Sequence, residues 1–196
     1  MKKPIVALIV MTAVFLTGCL VTSVYPFYTA KDVVSDPLVA GKWSSVKEEN
    51  EHWSFETNET KTLQLTYIKK DSTNEIAATV FKLGGLEFMD LMGDPTDHDV
   101  QPPPIPSHFL FRILTNQPNL IMAALSYDWL EQTVTNNPAA IRHHFVGQGD
   151  KRRLVLTADT QELQQFVTKH VATKEAWEEP LELTRENSRA RAAAGK

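Results

Sequence analysis

Short segments rich in valine, isoleucine, threonine and aromatic residues recur between residues 42 and 157, as in β-strands, and alternation of hydrophobic and polar positions marks a half-buried strand. Residues 62–69 are the clearest case: Leu63, Leu65 and Tyr67 share one face, and threonine and glutamine side chains share the other. The pattern predicts eight or nine short strands, followed by a helix and one more strand. The segments are 42–47, 52–57, 62–69, 75–83, 86–91, 108–115, 119–126, 142–146, 154–157 and finally 181–184.

Tight turns separate several of these segments. Gly84-Gly85 is a two-residue hairpin signal, and residues 116–118 and 147–150 separate two further strand pairs. Because short turns of this kind join neighbouring antiparallel strands, we expect an antiparallel meander.

Two stretches, 127–135 and 160–172, predict helices. Asp159 stands where an N-cap belongs, and Glu162 follows at capping-box spacing. Strands and helices do not alternate, so a parallel sheet is not expected. The sequence therefore predicts a mainly β fold, an antiparallel barrel or strongly curved sheet with a packed C-terminal helix. The apolar stripe of the second helix comprises Leu163, Phe166, Val167, His170 and Val171.

The N-terminus has the layout of a secretory signal peptide. Lys2 and Lys3 precede an apolar run over residues 4–16, which is shorter than the roughly 20 residues of a membrane span. The run ends in Leu16-Thr17-Gly18-Cys19, which resembles the lipobox of bacterial lipoproteins, and Cys19 is the only cysteine of the chain. The resemblance implies cleavage between Gly18 and Cys19, a diacylglycerol on the Cys19 sulfur and an N-acyl chain such as palmitate on the new amine.

This resemblance divides the chain into four parts. Residues 1–18 are the expected signal peptide, 19–37 the lipidated cysteine and a tether, 38–184 one β-rich domain, and 185–196 a flexible tail. Leu20, rather than an aspartate, follows Cys19, and by lipoprotein sorting rules this implies the periplasmic face of the outer membrane. Without residues 1–18 the chain carries 18 basic and 24 acidic side chains, a formal charge of −6.

Gly41-Lys42-Trp43 opens the first predicted strand and resembles the Gly-x-Trp motif of lipocalins. In that family eight barrel strands precede a helix and a short strand, and the tryptophan closes the barrel base. A late arginine stacks on that tryptophan, and Arg142 and Arg153 are the candidates here. The chain also resembles small bacterial lipoproteins of an uncharacterised family, which share a lipobox, an aromatic segment such as residues 25–28 and an early Gly-x-Trp.

Composition and charge exclude several classes of protein. Hydrophobic residues make up 42% and charged residues 22% of the 196 positions, so the chain is neither collagen-like nor wholly disordered. A net charge of −4 provides no basic field for nucleic acid. The sequence lacks Gly-x-Ser-x-Gly, His-Glu-x-x-His and a Gly-rich phosphate loop followed by Lys-Ser/Thr. We therefore expect a protein that is not an enzyme and has no metal or cofactor besides the acyl chains.

The loop over residues 93–107 is the clearest candidate for a functional loop. It contains five prolines, and its length is uncommon for a connection without function. We expect a stiff surface excursion, a lid over the barrel mouth or a docking strand. Its acidic cluster could bind a hard cation such as Ca²⁺, or it is a solvent-exposed turn without a ligand. That cluster comprises Asp94, Asp97, His98 and Asp99.

We expect most of the remaining histidines and tryptophans to pack in the structure rather than to form a functional site. His143 and His144 point to opposite faces of a strand, so they do not share a metal, and one of them should pack on the core or a carbonyl. His170 should be a packed neutral histidine, and no role is expected for His108. The four tryptophans divide into two pairs: Trp43 and Trp53 should be core residues, whereas Trp129 and Trp177 either line a cavity or belong to the core.

Two hypotheses for the function follow. In the first, the anchored barrel binds a small apolar or amphipathic molecule in the cell envelope. In the second, it is a structural or assembly accessory that binds another envelope protein. A wide apolar interior favours the first hypothesis and a filled interior contradicts it. An exposed apolar patch beside the loop over residues 93–107 favours the second.

Overall fold

The computed structural model describes residues 20–58, 62–70, 72–93, 107–149 and 152–186. These residues form eleven strands, two α-helices and one 3-10 helix at Lys174–Ala176. The helices are α1 (Tyr127–Asn136) and α2 (Thr160–His170). The strands are β1 (Thr22–Ser23), β2 (Gly41–Ser45), β3 (Glu51–Thr57), β4 (Leu63–Lys69), β5 (Ser72–Leu83), β6 (Leu86–Gly93), β7 (Ser107–Thr115), β8 (Leu120–Ala124), β9 (His143–Val146), β10 (Arg153–Leu156) and β11 (Leu181–Arg185).

Eight of the strands form a closed antiparallel barrel, one of the two forms that the sequence predicted. Strands β2 to β8 form a meander, and β11 closes the barrel between β8 and β2. In the closing strand, Leu183 lies opposite Leu120 on β8 and Ser45 on β2. Both glycines of the β5–β6 hairpin have positive φ, 59° for Gly84 and 81° for Gly85, as a two-residue hairpin turn requires.

Apolar side chains from all eight strands fill the barrel interior. Alternate residues point inward, so each strand contributes to one cluster of buried side chains. The largest of them is Trp43, which is fully buried. The other residues of this interior core are Val39, Trp53, Phe55, Leu63, Leu65, Ala78, Val80, Met89, Leu91, Phe111, Ile113, Leu120, Met122, Ala124 and Leu183.

A second core lies on the outer face of β5, β6 and β7. These strands turn Phe81, Phe88 and Leu110 outward, where both helices and β10 pack over them. The stripe of α2 buries Leu163, Phe166 and Val167 there. The Asp159 side chain accepts a hydrogen bond from the Glu162 backbone N–H at 3.0 Å, which confirms the predicted N-cap.

A three-stranded extension joins the barrel beside β7. Strand β1 pairs with β7 at Ser23 and His108, β10 runs parallel to β1, and β9 pairs with β10. The sequence did not predict β1, because it is only two residues long and its partners lie far away in the chain. No helix in the described residues is long and apolar enough to cross a membrane.

Candidate functional site

The Gly-x-Trp motif closes one end of the barrel with an arginine that the sequence analysis did not choose. The guanidinium carbon of Arg185 lies 4.2 Å from the centre of a Trp43 ring, and the Trp43 indole N–H donates to the Val39 carbonyl at 2.8 Å. Arg185 also donates to the carbonyls of Ala40, at 3.1 Å, and Leu38. An arginine stacked on the tryptophan of the motif is what the resemblance led us to expect.

The two proposed partners of Trp43 were wrong. Arg142 instead binds the carboxylates of Asp159 and Glu162 at the start of α2, and these contacts raise the pKa of Arg142. Arg153 lies in β10, in the extension beside β7. Arg185 had been assigned to the flexible tail, but it is the last residue of β11, opposite Trp43. The sequence did not indicate this pairing, because β11 continues one residue beyond the end of its apolar pattern at residue 184.

The opposite end of the interior carries a small polar cluster. The buried Glu51 carboxylate accepts from the Trp53 indole N–H at 2.9 Å and lies 3.5 Å from the Lys69 ammonium. Tyr67 packs edge-on against Trp53 at 5.0 Å. Burial raises the pKa of the Tyr67 phenol to about 12, and the negative charges of Glu51 and Glu48 add to the effect. At neutral pH the Tyr67 phenol is therefore neutral.

Two concavities lie on the outside of the protein. One, of about 460 Å³, lies beside α2 and is lined by Leu83 and by polar side chains such as Gln164. The other, of about 600 Å³, lies by the closed end and is lined by Leu38, Gln117, Pro118 and Arg185. Neither lining includes an interior residue of the barrel.

The residues that precede the barrel form an arm that is fixed to its outer face. We call residues 20–37 the N-terminal arm. Its Phe27 side chain is 1% exposed in the outer core, and the Phe27 N–H donates to the Asp90 carboxylate at 3.0 Å. From α2, the Gln164 amide donates to the Phe27 carbonyl at 3.1 Å and to Asp32 at 2.9 Å. The arm is therefore an ordered part of the fold from Leu20 onwards.

Asp90 also binds His108, for which the sequence suggested no role. The two side chains are 1% and 5% exposed, and the His108 Nδ1 lies 2.7 Å from Asp90 Oδ1. Ser23 is the strand partner of His108, but its hydroxyl donates to the Tyr25 carbonyl at 2.8 Å. The group thus resembles a serine–histidine–aspartate set in composition, while its hydrogen bonds secure the arm. Only the pairing of β1, which is absent from the sequence pattern, brings these residues together.

Three further histidines lie as the sequence predicted. His143 Nδ1 lies 2.8 Å from the Ile141 carbonyl, and His144 is exposed on the other face of β9. His170 packs against Phe166 and Trp129, with ring centres 4.7 and 5.1 Å away. Burial lowers the pKa of His170, and the Lys169 charge lowers it further.

All four tryptophans pack against one of the two cores, as predicted for Trp43 and Trp53 and as one of the two alternatives for Trp129 and Trp177. Trp43 and Trp53 are buried in the barrel interior. Trp129 and Trp177 are partly buried against the outer core rather than lining either of the concavities above. Phe88 packs on Trp177 at 6.1 Å between ring centres.

Several predicted site residues lie outside the described residues. They include Gly18 and Cys19, residues 94–106 of the proline-rich loop with its acidic cluster, and residues 187–196 of the tail. Among the described residues, no group of three or more histidine, aspartate or glutamate side chains is arranged to hold a metal ion.

No protein-family model, curated protein or solved structure matches this chain.

Proposed function

We propose that the protein is a membrane-anchored lipoprotein of the cell envelope that acts without catalysis, as a structural or assembly accessory that binds another envelope protein. The anchor in this proposal is the lipid on Cys19, and the site of action is the periplasmic face of the outer membrane. The lipobox residues 16–19 support the anchor, and the filled barrel supports the choice of partner.

The single observation that favours a protein partner is the packing of the interior. Trp43, Phe55 and Leu65, which belong to three different strands, are each at most 1% exposed inside the barrel. A ligand there would have to displace close-packed side chains, and each large side chain contributes about 2–5 kcal/mol to stability. A partner that binds the outer surface displaces none of them. Binding of a small apolar molecule, the first hypothesis from the sequence, stays a prediction.

We choose the concavity at the closed end of the barrel for a crosslinking experiment that tests for a protein partner. Leu38 is 36% exposed there, beside the turn at Gln117 and the Arg185 side chain. A photo-crosslinking amino acid at Gln117 should trap the partner in intact cells. The matched control is Thr73, an exposed residue next to the β4–β5 turn, at the other end of the barrel.

The two hypotheses predict different results. A crosslinked band of defined mass at Gln117, absent at Thr73, supports the accessory function. Native mass spectrometry of the purified mature protein, before and after denaturation, tests the alternative. A discrete mass that is lost on denaturation, without a crosslink at either site, would favour the small-molecule hypothesis instead.

A further inference from the structure

The three-stranded extension beside β7 turns one face toward solvent, and this face begins where the chain would be lipidated. Thr22 lies opposite Val155 on the parallel strand β10, so the preceding residues run beside the start of β10. Continuing this register places Leu20 level with Arg153, which in turn lies opposite Val146 on β9. Leu20 is 44% and Val146 45% exposed, and Arg153 is exposed between them.

The two faces of this extension differ sharply. Val21 and Leu154 point to the other side, where they are 2% and 1% exposed in the outer core. Because neighbouring residues in a strand alternate between faces, the outward face is fixed by this burial. We call it the anchor face. Its described residues are Leu20, Thr22, His144, Val146, Arg153 and Val155.

The composition of the anchor face fits a bilayer surface. It combines apolar side chains with Arg153 and His144 and has no aspartate or glutamate among its described residues. Arg152, the residue before Arg153, turns to the opposite face, where it lies 3.6 Å over the Phe145 ring and 3.6 Å from Glu131 of α1. The mature chain is acidic as a whole, so an anionic leaflet repels most of its surface. A face without carboxylates can approach such a leaflet with less repulsion than the acidic surface.

The position of the anchor leaves little freedom. Cys19 directly precedes Leu20, and consecutive Cα atoms are about 3.8 Å apart. Val21 is already buried, so a lipid on Cys19 is attached within two residues of the rigid domain. A membrane that holds the lipid is therefore next to the anchor face.

We propose that the anchor face rests on the phospholipid headgroups of the membrane that holds the Cys19 lipid, with Arg153 favouring anionic lipids. This inference relies on the proposed lipidation of Cys19. It gives the barrel a fixed orientation on the membrane, with β3 turned away, because β3 lies across the eight-stranded barrel from β7.

The test uses the mature full chain, purified from membranes and placed in vesicles. Mass spectrometry first reports the acyl chains on Cys19, so failure of the anchor is seen separately. With the Cys19 thiol blocked by the diacylglycerol, a single cysteine can be labelled with a polarity-sensitive fluorophore, at His144→Cys on the anchor face or at Glu56→Cys on β3. The vesicles are phosphatidylcholine alone, or phosphatidylcholine mixed with phosphatidylglycerol, with nitroxide lipids as quenchers.

We expect quenching at position 144 to exceed that at position 56 at least about twofold, and to rise in the anionic vesicles. Arg153→Glu should remove that rise, whereas Lys42→Glu, an exposed change on β2, should leave it. Raised salt should also remove the rise in the unchanged protein, because it screens charge. Equal quenching at both sites in a lipidated protein would overturn the inference. Protection of position 144 in native membranes but not in vesicles would overturn it as well and indicate a protein partner.

Discussion

At the scale of single residues, the closed end of the barrel depends on Gly41. Its φ is +128°, and a Cβ built there would lie 2.7 Å from Nη1 of the Arg185 guanidinium. Because both the backbone and the stacked arginine would have to shift, Gly41→Ala should lower the free energy of unfolding by about 3 kcal/mol. Urea denaturation followed by tryptophan fluorescence measures this.

Gly84→Ala is the matched control for that change. Gly84 also has a positive φ, of +59°, but its Cβ would meet no atom within 4 Å. Only the left-handed backbone disfavours alanine there, so the expected loss is about 1 kcal/mol. Equal losses for the two variants would mean that contact with Arg185 does not add to the cost at Gly41.

The buried Asp90 carboxylate carries the second prediction. Asp90→Ala leaves the Phe27 N–H and the His108 ring without their partner inside the protein, so stability should fall by about 3 kcal/mol. The N-terminal arm should also become open to proteases. Asp90→Asn should recover part of the loss, because its amide oxygen can accept from Phe27. Glu56→Ala, at an exposed position on β3, should change stability by less than about 0.5 kcal/mol.

His170 predicts a pH dependence. Its pKa is lowered from 6.5 by burial, so below pH 6.5 the folded protein binds fewer protons at this site than the unfolded chain. The stability that neutral His170 provides is fully present above pH 6.5, and it is lost as the pH falls through the lowered pKa of the folded protein. His170→Gln should flatten the slope of urea midpoint against pH in this range, while His144→Gln should not. An NMR titration that gives His170 a pKa of 6.5 or higher would contradict this.

At the scale of elements, the N-terminal arm behaves as part of the domain. Phe27→Ala removes a fully buried ring from the outer core, and the expected loss is about 4 kcal/mol. Tyr25→Ala, where the side chain is 49% exposed, should cost little. Urea denaturation gives the stabilities, and limited proteolysis should cut the arm of the Phe27 variant first. A Phe27 variant as stable as the Tyr25 variant would show that the arm is only loosely attached.

The elements also show how far the sequence could predict this fold. Strand β4 was predictable because it buries one face and so leaves an alternating pattern in its own residues. Strands β5 to β8 are buried on both faces over much of their length, and they were predictable instead from the turns between them, such as Gly84-Gly85. Strand β1 and the Asp90–His108 contact leave no signal in the local sequence, since Thr22 pairs with a strand more than a hundred residues away. The Trp43–Arg185 stack was expected in kind from the family resemblance, but no local pattern identifies which arginine reaches the ring.

At the scale of the whole molecule, the barrel wall joins two cores. Successive residues of β6 and β7, such as Phe88 and Met89, or Leu110 and Phe111, alternate between the outer core and the interior. Loss of either core would expose one face of the same strands. We therefore expect the interior and the outer layer to unfold together in a single transition.

Two substitutions, one in each core, test this cooperativity. Leu65→Ala in the interior and Leu163→Ala on α2 each remove a fully buried side chain, so each should cost about 3 kcal/mol. Trp43 and Trp53 report on the interior, and Trp129 and Trp177 on the outer layer, so phenylalanine replacement of one pair isolates the signal of the other. Because the strands are shared, both signals should shift to the same urea midpoint with an unchanged slope in either alanine variant. A Leu163→Ala protein whose outer signal changes at lower urea than its interior signal would show that the barrel stands without its outer layer.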